Sequence, residues 1–156
     1  MPGGGVNTYP ETSALLALYV PRASSPLAAA RLAAPIFVSS LTRFEARQAI
    51  RFEIWRNKHD RAKGITAARG NTALAMIEAD FADTTVQVAA CDFSVVHELA
   101  EILSRRYAIE LGARTTDLIH VAAALHLGCR EFLSFDHTQN KVAAREGLKT
   151  PFAAAN

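Results

Sequence analysis

The chain has 156 residues, 50% of them hydrophobic and 21% charged, with a net charge of +2. That is enough apolar material for one core of ordinary size, which argues against a disordered or low-complexity chain. The mild positive charge permits an anionic polymer as partner without requiring one, and no apolar run approaches the roughly 18 residues that a membrane span needs.

The Gly-rich opening, Met1 to Val6, lacks the basic-then-apolar pattern of a secretory signal, and residues 1–5 are expected to be flexible. Val6 to Tyr9 reads as a short strand with Pro10 and Glu11 at its exit, and Thr12 or Ser13 caps a helix through Tyr19. Ser24-Ser25-Pro26 starts a helix to about Ala34, with proline in the tolerated first turn. Ile36 to Val38 is a second strand. Ser39 or Ser40 caps a long helix from Leu41 to about Lys58, and another helix runs from about Thr66 to Phe81. Thr85 to Val88 is a third strand. Asp92 caps a helix to about Leu111, which Gly112 ends. Thr116 to Leu125 is a helix that stops at Gly128 and feeds the strand Phe132 to Phe135. His137 to Glu146 is the last helix, followed by Gly147 and a possible strand from Leu148 to Phe152. Short apolar strands separated by helices predict an α/β fold, three α/β/α layers around a short central parallel sheet. With no internal repeat or linker, residues 1–156 are read as a single domain. Cys91 and Cys129 form no CxxC pair and are read as reduced, buried small hydrophobes in a cytoplasmic protein.

Four acids stand at special positions. Glu11 and Asp136 each follow a strand, and in open α/β sheets ligands sit at the carboxyl ends of strands. Glu45 shares a helical stripe with Leu41, Ala49 and Phe52, where burial is expected. Asp117 opens its helix on a face shared with His120, Val121 and Ala124. Taken singly, Asp136, Asp117 and Glu11 have simpler readings as helix caps or first-turn acids, and Glu45 as one half of an ion pair. Taken together they suggest one acidic pocket, self-repelling unless a hard dication such as Mg²⁺ or Mn²⁺ is bound. A metal there suits phosphodiester hydrolysis, with no protein nucleophile needed.

These segments resemble the PIN-domain family, and within it the VapC-like toxins of toxin–antitoxin pairs. Tyr9-Pro10-Glu11-Thr12-Ser13-Ala14-Leu15 is similar to the family's N-terminal acid-Thr-Ser motif. Ser39-Ser40-Leu41-Thr42-Arg43-Phe44-Glu45 is similar to the glutamate-bearing second motif. The stretch from Arg114 to Leu125 is similar to the third, and Phe132-Leu133-Ser134-Phe135-Asp136 to the fourth. The resemblance implies a Mg²⁺- or Mn²⁺-dependent endoribonuclease with Glu11, Glu45, Asp117 and Asp136 around the metal and Ser13 as an accessory hydroxyl. It further implies a homodimer, an inhibitory antitoxin protein and an RNA substrate. The sequence departs from the family at Glu11, where aspartate is usual, and at Pro10, which is unusual inside a central strand. An alternative reading is therefore a PIN-like RNA- or antitoxin-binding protein with weak or no cleavage, because the longer Glu11 displaces the metal.

Other constellations are weaker. His97-Glu98-Leu99-Ala100-Glu101 lacks the second histidine of a zincin helix. A serine hydrolase built from Ser13, Asp117 and His120 lacks a nucleophile elbow. His120 itself reads most simply as a hydrogen-bonded structural histidine. Arg43, Arg47 and Arg51 recur every four residues and are read as a solvated face, an RNA-phosphate track or a seat for an acidic antitoxin segment.

Overall fold

The computed structural model describes residues 6–155; the flexibility expected of residues 1–5 lies outside them. Short strands alternate with helices in the order β1 (Thr8–Pro10), α1 (Thr12–Tyr19), α2 (Ser25–Arg31), β2 (Ile36–Val38), α3 (Ser40–His59), α4 (Ala67–Ala82), β3 (Val86–Val88), α5 (Phe93–Leu111), α6 (Thr115–His126), β4 (Glu131–Leu133) and α7 (His137–Arg145), closed by a 3-10 turn at Ala153–Ala155. All named strands pair in parallel. Tyr9 lies opposite Phe132 in the β1–β4 pair, and Phe37 opposite Gln87 in the β2–β3 pair. The expected α/β architecture, helices around a short parallel sheet, is therefore present.

The sheet is interrupted in its middle. β2 lies beside β1, yet β1–β4 and β2–β3 are separate hydrogen-bonded sheets. Pro10 gives the physical reason. Glu11 N–H donates to the Leu133 carbonyl at 2.9 Å, so the backbone of Pro10, one residue earlier, faces the opposite side, towards β2. Proline has no N–H to offer there.

Each half has its own apolar cluster. Tyr9, Leu103, Val121 and Phe132 pack between β1–β4 and α5, α6 and α7. Leu15, Val38, Ile50 and Ile77 pack beneath α1, α3 and α4 against β2–β3. Cys91 and Cys129 are both free thiols. Burial pushes the Cys129 thiol up to about 12 from an ordinary 9.0, which fits an inert core residue.

Several boundaries differ from expectation for local reasons. Glu11, rather than Thr12 or Ser13, caps α1 by accepting the Ser13 N–H. α2 stops at Arg31, short of Ala34, with Leu32 already extended. β4 ends at Leu133 rather than Phe135, because Ser134 gives its carbonyl to Asn140 Nδ2 at 2.8 Å instead of to a strand. The last strand reduces to one bridge, Lys149 beside Glu131.

α3 is rotated relative to the reading of its apolar stripe. Its buried residues are Thr42, Ala46 and Ile50, while Phe52 is exposed and Glu45 sits at the boundary. The contact with α4 fixes this rotation, since Gly70 lets that helix close on Ile54. Arg43 and Arg47 are not a free basic face either. Both guanidinium groups lie over the Phe81 ring, at 4.9 and 5.5 Å from its centroid, and Arg47 also grips Glu78 through two hydrogen bonds. They join α3 to α4.

Candidate active site

Glu11 leaves β1 and is 5% exposed. Three donors converge on its Oε2: Ser13 N–H at 2.9 Å, Ser13 Oγ at 2.6 Å and Ser134 Oγ at 3.1 Å. Ser13 Oγ in turn accepts the Phe135 N–H at 2.9 Å. One carboxylate oxygen is thus fixed to the exits of β1 and β4, and the other, Oε1, is turned towards His120, 4.0 Å from Nε2.

His120 is fully buried, and both of its ring nitrogens are engaged. Nε2 lies 2.7 Å from Glu45 Oε1, and Nδ1 lies 2.9 Å from the Tyr9 hydroxyl. An ionised carboxylate only accepts, so Nε2 donates to Glu45, and in the neutral ring Nδ1 is left to accept from Tyr9. Tyr9 Oη also lies 2.8 Å from Ser39 Oγ, and Ser39 caps α3, the helix that carries Glu45. Burial pushes the Tyr9 phenol well above its ordinary range, so it remains a donor. The simple reading of His120 as a hydrogen-bonded structural residue holds. It positions Glu45, and it is not part of a Ser13–His120 pair, because the Ser13 proton is committed to Glu11 and both ring nitrogens are taken.

Asp117 is 6% exposed. Its Oδ2 accepts the Arg114 N–H at 2.9 Å, the capping role, and its Oδ1 accepts Gln139 Nε2 at 3.1 Å. Asp136 caps α7 by accepting the Gln139 N–H at 2.8 Å, while its own N–H donates to Ser134 Oγ at 2.9 Å. Ser134 Oγ also lies 3.0 Å from Gln139 Oε1. A hydroxyl has one proton, so Ser134 serves Glu11 or Gln139 at any instant, not both.

The sequence-predicted acids are therefore linked through shared hydrogen-bond partners, without being brought within ligating distance of one ion. Glu45 reaches Glu11 through His120, and Asp117 and Asp136 reach it through Gln139 and Ser134. Ser134, Gln139 and Tyr9 were not singled out from the sequence. Gln139 had a local signal, since it stands three residues after Asp136 in a D-x-x-Q capping pattern. Here its side chain turns to Asp117 instead of back to the cap.

Glu11 and Asp136 follow β1 and β4, Glu45 lies on α3 after β2, and Asp117 opens α6; the stretch that carries all four, residues 8–145, matches the PIN domain family. The chain is a member of that family. PIN domains are generally nucleases that use divalent metal ions. Two solved structures are similar in fold to this PIN domain. FitAcB from Neisseria gonorrhoeae superposes with a TM-score of 0.61 at 12% identity, covering 92% of this chain and 95% of that one. PAE2754 from Pyrobaculum aerophilum gives 0.55 at 19% identity, covering 97% of this chain and 86% of that one. None of the curated proteins matches in sequence.

The donor set of this PIN domain suits a hard dication, which prefers carboxylate oxygen. Its spacing is that of a site held by protein donors. Among the described residues no three His, Cys, Asp or Glu side chains lie close enough together to ligate one ion. Glu45 is occupied by His120, Asp117 by Arg114 and Gln139, and Asp136 by its cap. Glu11 Oε1 is the oxygen left facing inward. No helix is long and apolar enough to cross a membrane among the described residues.

Proposed function

We propose that this chain is a Mg²⁺- or Mn²⁺-dependent endoribonuclease, the toxin of a toxin–antitoxin pair, working in the cytoplasm as a single-domain homodimer with a cognate antitoxin protein. The observation that carries the reading is that Glu11, Glu45, Asp117 and Asp136 all belong to one hydrogen-bonded network in a PIN fold. A bound dication in such a pocket activates water and offsets charge on the phosphate and the leaving oxygen. The four carboxylates are the residues that would hold it. Ser13 and Ser134 fix the rotamer of Glu11, His120 and Tyr9 fix Glu45, and Gln139 fixes Asp117. The homodimer reading draws on α5, where Val95, Ile102 and Ile109 recur every seven residues and are all exposed, an apolar row on the outer side of the helix.

Purified protein is tested on total RNA with Mn²⁺ and with chelator. Wild type cleaves only with the ion, and Glu11→Ala and Asp117→Ala each lower the rate at least a hundredfold. Undiminished cleavage by both variants would remove this site from the mechanism. A second reading, an RNA- or antitoxin-binding protein with impaired cleavage, is favoured by the three donors on Glu11 Oε2 and by the unconverged carboxylates. Glu11→Asp separates the two, since a large gain in rate favours the impaired site and a loss favours the nuclease built on glutamate.

A further inference from the structure

α3 carries a second feature that the acidic pocket does not use. Phe44, Gln48, Phe52, Trp55 and His59 follow one another at steps of four, four, three and four, so they line one face of the helix. That face is open to solvent: Phe44 is 62% exposed, Phe52 50% and Trp55 51%. Large aromatics aligned on an exposed face do little for the core and mark a contact surface. The rings are ordered against each other. Phe52 and Trp55 stack with centroids 5.3 Å apart and planes 17° from parallel, and His59 lies 4.5 Å from Trp55. His59 Nδ1 is held 2.9 Å from the Trp55 carbonyl. A cavity of about 370 Å³ opens beside them, lined by Phe52, Trp55, Arg56, His59, Asp60 and Lys63.

The charge around the rings is as uneven as the exposure. Residues 51–63 hold five Lys or Arg against two acids, Glu53 and Asp60, a net +3 in a chain whose total is +2. Arg56 and Lys63 are paired with those two acids at 2.8 and 3.1 Å, so Arg51, Lys58 and Arg61 carry the surplus, and all three are exposed. The platform also shares its helix with the pocket. Phe44 adjoins Glu45, and Phe52 and Trp55 lie about 10 and 15 Å further along the axis at about 1.5 Å per residue. That is the length of three or four nucleotides at about 3.4 Å each in a stacked strand.

We propose that this face of α3 is a stacking platform for the single-stranded stretch of RNA that flanks the cleaved bond, with bases on Phe52 and Trp55 and phosphates on the surrounding cations. Near-parallel aromatic rings suit any base, and the cations suit the backbone, which makes the recognition tolerant of sequence. An apolar helix of a second copy would leave the cations uncovered, and an acidic peptide would have no use for stacked rings. The inference rests on the ribonuclease reading for the identity of the polymer, but not on cleavage.

Trp55 is the chain's single tryptophan, so its fluorescence reports on this surface alone. The full chain is titrated with short oligoadenylate in chelator, where no cleavage occurs, with affinity followed in parallel by anisotropy of a labelled strand. The single strand is expected to quench Trp55, the matching duplex to quench far less, and Phe52→Ala to bind about fivefold to a hundredfold more weakly. Trp55→Tyr keeps most of the affinity and Trp55→Ala does not, which separates lost stacking from lost folding. Binding without quenching puts the strand elsewhere and overturns the platform while leaving the nuclease reading intact. Quenching that follows protein concentration, or that polyglutamate produces and RNA does not, assigns the face to a second copy or to an acidic peptide and overturns it equally. Quenching by the single strand in a protein that cleaves nothing keeps the platform and removes the nuclease.

Discussion

Tyr9 shows how much a single atom can organise. Its ring stacks on Phe132 with centroids 5.7 Å apart, while its one polar atom lies within hydrogen-bond distance of Ser39, His120 and Thr42. Tyr9→Phe keeps the stacking and leaves those partners short of a neighbour in a dry environment, a loss of about 1–3 kcal/mol. The expected result is a lower urea midpoint together with slower RNA cleavage, because His120 loses the partner that fixes its ring over Glu45. Cleavage equal to wild type would detach Tyr9 from the site. Cys129 makes a separate prediction on pH. Its folded value, about 12, is raised above the ordinary 9.0, so folding favours the protonated thiol. That contribution is complete below the unfolded value and disappears as pH rises through the window between the two. Cys129→Ala should flatten the alkaline fall in unfolding free energy over that window, and an unchanged slope would assign the fall to other groups such as Tyr9 and Tyr19.

At the scale of elements, the turn between α3 and α4 is the most constrained connection. Gly64 has φ of +65°, and a Cβ there would meet the Glu53 carbonyl oxygen at 2.0 Å, the same oxygen that accepts the Ile65 N–H. Gly64→Ala should cost at least the roughly 1–2 kcal/mol of a left-handed residue, read as a drop in thermal midpoint, and should loosen the aromatic end of α3. Helix ends of this kind were legible in the sequence because their chemistry is local. Ser39, Asp92 and Asp136 each accept a backbone N–H two or three residues on, and Gly112 takes the left-handed angle that ends α5. The candidate acids were legible for the same reason, as carboxylates beside caps and strand exits. The rotation of α3 was not, since it depends on how Gly70 of a different helix meets Ile54. The bridging roles of Ser134 and Gln139 were also hidden. A serine after a strand and a glutamine in a first turn have many uses, and only the third dimension selects one.

For the whole molecule, association through α5 makes a direct prediction. Ile109 is fully exposed, and with Ile102 and Val95 it lies along one side of α5, while Val96, Ala100 and Leu103 are buried. Replacing Ile102 and Ile109 by glutamate should convert a dimer into a monomer in sedimentation velocity at unchanged thermal stability. A wild type that already sediments as a monomer would dismiss association through this row.

The interruption at Pro10 has a consequence for how the molecule yields. Where most α/β sheets are stitched across by backbone hydrogen bonds, this one has an unpaired seam between β1 and β2, crossed at the pocket by the contacts of Tyr9 with Ser39 and of His120 with Glu45. Deuterium uptake should accordingly be faster along that seam than within either strand pair. Whatever grips Glu11 and Glu45 together acts as a clasp over the crease, so occupancy of the pocket and rigidity of the fold rise together.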